Sequence, residues 1–93
     1  VRKGKMDEER YYYVRVDPPS GNYTATWGQE AWVDTEQRIA IVHTFGSCGD
    51  RCGWHIEFCV TQSMMDADRR NRTFKWISKD RFEEIQKKYE NRR

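Results

Sequence analysis

The chain has few of the residues that announce a function. It holds two prolines, six glycines, two histidines and three cysteines in 93 residues. Three cysteines cannot all pair within one chain, which argues against a secreted disulfide scaffold and for a cytoplasmic protein. Two N-glycosylation triplets, Asn22-Tyr23-Thr24 and Asn71-Arg72-Thr73, point the other way. No apolar run is long enough to span a membrane, and no stretch reads as a secretory leader. Val1 to Lys5, ahead of Met6, read as a remnant or a fragment edge. No glycine-rich loop precedes a helix pattern, so nucleotide binding has no support. Repeats and low-complexity tracts are also missing.

What is present is aromatic and charged. Thirteen residues are Phe, Tyr or Trp, and charged residues make up 34 %. The net charge of +2 is unevenly spread: residues 11–65 carry three basic and six acidic groups, whereas residues 66–93 carry ten basic and six acidic ones. The expected sheet is therefore mildly acidic and the C-terminal third basic.

The informative stretch is Arg38 to Gln62, RIAIVHTF-GSCGDRCG-WHIEFCVTQ. Two β-branched and aromatic runs flank a glycine-rich loop, which predicts a β-hairpin turning near Gly49 and Asp50. A helix capped at Asp34 is the competing pattern, but Ile39, Ile41, Val42 and Thr44 favour the strand. Alternation puts Ile39, Ile41, His43 and Phe45 with Trp54, Ile56, Phe58 and Val60 on the buried side. The expected register opposes Phe45 to Trp54 and Ile41 to Phe58. His43 then reads as a satisfied core histidine.

Tyr11 to Val16 predicts a first strand with Tyr12, Val14 and Val16 on one face. Asp17 to Asn22 is a turn. Tyr23 to Val33 predicts a long second strand with a bulge or bend at Gly28. Its inner side carries Tyr23, Ala25, Trp27, Ala31 and Val33, and its outer side Glu30 and Trp32. Ser63 to Arg72 reads as a polar connection. Thr73 to Ile77 is a short strand, and Ser78 caps a helix whose stripe is Phe82, Ile85 and Tyr89. Ile77 and Phe82 fit a hydrophobic staple, and Glu83–Lys87 and Glu84–Lys88 are spaced as ion pairs. The expected fold is α+β: an antiparallel sheet of about four to five strands with one C-terminal helix packed on one face. Residues 1–10 form a charged lead-in and residues 11–93 a single domain.

Cys48, Cys52, His55 and Cys59 spell C-x3-C-x2-H-x3-C, which suggests zinc. Four strand residues separate His55 from Cys59, roughly 13 Å, too far for ligands that sit about 2 Å from the metal. A thiol nucleophile activated by His55 lacks a helix N-terminus to lower its pKa. A Cys48–Cys52 disulfide and two free thiols are equally compatible with the spacing. No catalytic, cofactor or metal residue is therefore expected.

The face opposite the helix should stay open. Alternation assigns it Tyr11, Tyr13, Arg15, Trp32 and His55, which become the expected partner contacts. The resulting expectation is a small interaction or inhibitor module for a protein partner or a second copy of itself, with no membrane association. Chains this small without a catalytic motif are frequent among phage and mobile-element products. Single-stranded nucleic acid is the alternative ligand, because open aromatic sheets stack bases, and a small zinc-binding domain is the other.

Overall fold

A computed structural model describes residues 9–17, 27–46 and 52–91. The fold is α+β. In chain order the elements are β1 (Tyr11–Val16), β2 (Trp27–Asp34), β3 (Ile39–Gly46), β4 (Gly53–Glu57), α1 (Gln62–Arg69), β5 (Lys75–Ile77) and α2 (Lys79–Asn91). The strands form one antiparallel sheet in the order β4-β3-β2-β1-β5. The first hairpin strand and the terminal helix are as expected, whereas the second hairpin strand stops at Glu57, short of Phe58 and Val60. The turns at 18–22 and 49–50, residues 23–26, Cys48 and most of the lead-in lie outside the described residues.

Alternation is read correctly within each half of the sheet as far as Ile56, but the relation of the two halves is inverted. Asp34 pairs with Ile39 across a turn spanning Thr35 to Arg38, so Trp32 opposes Ile41 and Val33 opposes Ala40. A one-residue difference in such a register moves every side chain to the other face. Arg38 adopts φ 60°, and its N–H donates to the Asp34 carbonyl at 2.8 Å to close the turn. The hairpin register also differs, by two residues: His43 opposes Trp54 and Ile41 opposes Ile56. A shift of two keeps the faces. It leaves Phe58 beyond the strand and 71 % exposed, and Cys59 turns the chain with φ 61°. Val60 consequently packs on the other side.

α2 covers a core of Tyr11, Trp32, Ile41, Phe82 and Ile85, edged by Tyr13, Trp54, Ile56, Ile77 and Tyr89. The Ser78 hydroxyl accepts from Arg81 N–H at 3.1 Å, the expected cap. The helix ion pairs are Lys79–Glu83 and Arg81–Glu84, so the cation leads the carboxylate along this helix.

The reverse face is not open. Tyr12, Val14, Val33, Ala40, Val42, Val60 and Met65 form a second core, with Phe74 and Trp76 packed against it. Residues 62–69, expected as a connection, are helical because Thr61 caps Met64 N–H at 3.1 Å and Met65 supplies an apolar anchor. The Tyr12 hydroxyl donates to Asp68 at 2.6 Å and ties α1 to the sheet.

Gly28 sits in unbroken register opposite Phe45 rather than in a bulge. A Cβ there would lie 2.6 Å from the Val16 carbonyl oxygen and 3.0 Å from the Phe45 ring. Gly28→Ala should therefore cost about 1–3 kcal/mol, as overpacking does, measured by urea unfolding. An unchanged midpoint would mean that β1 can move away from β2 at this point.

Candidate functional site

The exposed chemistry lies on the part of the α2 face that α2 leaves uncovered. Glu30 projects from β2 between Arg15 of β1 and His43 of β3, its partners in the pairing. The Tyr13 hydroxyl donates to Glu30 Oε1 at 2.9 Å, and His43 Nδ1–H donates to Glu30 Oε2 at 2.8 Å. Glu30 and His43 keep 20 % and 28 % of their side-chain surface exposed, so the linked group is accessible from solvent.

Around it the rings form a continuous floor. His43 stacks on Trp54 with centroids 4.5 Å apart, and Trp54 stacks on Trp32 at 5.6 Å. Tyr13 leans on Trp32 at 5.4 Å, and Phe45 lies 6.1 Å from His43. Cations cap this floor: Arg15 over Phe45 at 4.4 Å, Lys75 over Tyr13 at 5.6 Å and Lys88 over Trp54 at 5.9 Å. A cleft of about 470 Å3 opens beside it, lined by Tyr13, Glu30, Trp32, Lys75, Ser78 and Arg81 among others.

The five expected contact residues are thus divided. Tyr11 and Trp32 are not exposed but buried under α2, each 5 % accessible. Tyr13 and Arg15 do reach the site. His55 points to the reverse face with Val42 and pairs with Glu57 at 3.1 Å. The β2–β3 turn register decides this division. Glu30, His43, Phe45, Trp54, Lys75 and Arg81 were missed as a group. The signal for the first three was their shared parity with Tyr13 in paired strands, and it becomes usable only once the register is known.

Of the cysteine cluster, Cys52, His55 and Cys59 lie among the described residues, and these three do not converge as metal ligands. Cys52 is disulfide-bonded, which removes it from the thiolate set, while Cys59 is free and exposed. Among the described residues no three His, Cys, Asp or Glu side chains converge to hold a metal, and no helix is long and apolar enough to cross a membrane.

Burial raises the phenol pKa of Tyr11, Tyr12 and Tyr13 above the ordinary 10.0. Acceptance by Asp68 adds to the shift of Tyr12, and acceptance by Glu30 to that of Tyr13. The folded state thus favours the neutral phenols. This stability is fully present below the ordinary phenol pKa, near 10, and is lost as pH rises beyond it. Melting temperatures should hold steady up to about pH 9.5 and fall steeply above about pH 10.5. Tyr12→Phe should make that fall shallower by removing one of the three contributing phenols.

No protein-family model, no curated protein and no solved structure matches the chain. The fold and the site together define a small α+β domain with an aromatic, cation-rimmed cleft. Its functional reading rests on that geometry.

Proposed function

We propose that this is a non-enzymatic interaction module that binds an acidic, aromatic-bearing segment of a protein partner on the uncovered part of the α2 face. One observation carries the reading: half-exposed rings of Tyr13, His43, Phe45 and Trp54 lie under the cationic groups of Arg15, Lys75 and Lys88. Rings with Arg beside them are the side chains that dominate binding hot spots. Lys75 and Arg81 both line the cleft and supply cationic groups for a carboxylate of the partner. An inhibitor would use the same surface by occluding its target.

Glu30 argues against single-stranded nucleic acid. It sets a carboxylate in the middle of the ring floor, where phosphates would have to approach. A protein segment avoids it by placing a hydrogen-bond donor there. The cytoplasmic location rests on the odd cysteine count, and the disulfide at Cys52 favours an oxidising compartment instead. Alkylation of free thiols in intact cells, followed by mass analysis, distinguishes the two.

The binding test uses a random-peptide display library selected on the folded protein. Enriched peptides should pair Asp or Glu with Trp, Tyr or Phe. Lys75→Glu combined with Arg81→Glu should weaken them about tenfold or more. Both side chains are exposed, so the melt should barely move. Basic peptides, or binding indifferent to the double variant, would overturn the reading. Binding of oligothymidine that falls about 10³-fold between 50 and 200 mM salt would favour nucleic acid instead.

A further inference from the structure

We infer that the outer edge of β4 pairs with the β4 edge of a second copy of this chain, joining two sheets about a two-fold axis through Ile56. β4 ends the strand order, so one side of its backbone has no strand beside it among the described residues. Natural edges are blunted by Lys, Pro or bulges, and Trp54 to Phe58 contains neither Lys nor Pro. Phe58, just past the strand, is 71 % exposed and so accessible to a second copy at this edge.

The edge is self-complementary in its chemistry. Trp54-His55-Ile56-Glu57-Phe58 reads aromatic, His, Ile, Glu, aromatic, and pairs the same types when reversed about Ile56. An antiparallel pairing on that centre sets Trp54 against the partner's Phe58, His55 against the partner's Glu57, and Ile56 against the partner's Ile56. Neighbouring centres are less complementary. Centring on Glu57 opposes two carboxylates, a destabilising arrangement, and centring on His55 leaves Glu57 opposite Gly53 with no charge partner. Centring between two residues would oppose side chains of opposite faces, which the pleat forbids. His55 and Glu57 are about half exposed, at 45 % and 47 % of their side-chain surface, and already lie 3.1 Å apart within the strand. Both can therefore turn to a second copy without leaving a buried charge.

The axis stands normal to the sheet, so both α2 helices lie on one face of the joined sheet and flank the seam. Cys59 turns the chain at φ 61° and limits the pairing to these five residues. So short a seam belongs to the transient class of interface, and self-association should be concentration-dependent rather than obligate. This dimer goes beyond the proposed cleft and does not depend on it.

The test is sedimentation velocity from micromolar to near-millimolar concentration. Wild type should move from monomer to dimer over that range. His55→Glu places carboxylates opposite carboxylates and should weaken association about tenfold. The double variant His55→Glu with Glu57→His exchanges the pair and should restore it to within about threefold of wild type. Far-UV circular dichroism melts at low concentration should be alike for all three. A monomer at every concentration, a dimer indifferent to His55→Glu, or a double variant no better than the single would each overturn the inference.

Discussion

Phe82→Ala should be among the most damaging single truncations in the chain. The ring is 3 % exposed and stacks on Tyr11 with centroids 4.7 Å apart. It is the first anchor of α2 on the sheet, in the same core as Trp32, Ile41 and Ile85. Removing a buried Phe side chain costs about 3–5 kcal/mol, because the lost transfer energy is compounded by a cavity that rigid strands cannot close. For a domain of this size each kcal/mol corresponds to about 4–8 °C, so the melting temperature should fall by about 12 °C or more. Phe58→Ala is the matched control. It deletes the same ring from an exposed site and should change stability by about 0.5 kcal/mol or less. The reverse ranking in a thermal melt would show that α2 is not seated on Tyr11 and Trp32. The cleft should also suffer in Phe82→Ala, since Ser78 and Arg81 of its wall are carried by the first turn of α2 and its cap.

Asp34→Ala should cost about 3 kcal/mol, the lower end of the loss on breaking a buried ion pair. The carboxylate is 2 % exposed and accepts Arg10 Nε and Nη2, both at 3.0 Å. It also accepts the Glu36 and Gln37 N–H groups at 2.9 and 3.2 Å. The lower end applies because Arg10 remains 31 % exposed and can turn to water when its partner is lost. Asp34→Asn keeps an acceptor for the turn and should lose roughly half as much. Because this turn sets the β2–β3 register, amide exchange should accelerate in β2 and β3 before it does in α2. Urea midpoints decide the first claim: if Asp34→Ala were no worse than Glu36→Ala, the turn would not depend on the buried carboxylate. Glu36 is the comparison of choice, since its side chain is 70 % exposed and its bridge to Arg10 is a surface one.

Local chemistry made much of this architecture legible in the residues alone. β-branched alternation from Ile39 to Thr44, the Ser78 cap, the Ile77–Phe82 staple and the Phe82, Ile85, Tyr89 stripe act over a few residues, and each appears in the fold. The shared faces within β1 and β2, Tyr13 with Arg15 and Glu30 with Trp32, also follow from parity, while the residue-by-residue register between them does not. The eight-residue helix over 62–69 left a weaker trace, because its stability comes from Met65 and Asp68 meeting Tyr12, far off in sequence. Which face of β1 and β2 meets α2 was decided only in three dimensions. A four-residue turn closed by Asp34, Arg10 and Arg38 chose the register, and a step of one residue exchanges the two faces. That choice buried Tyr11 and Trp32, sent His55 to the other side, and gathered Tyr13, Glu30 and His43 from three strands into one hydrogen-bonded group.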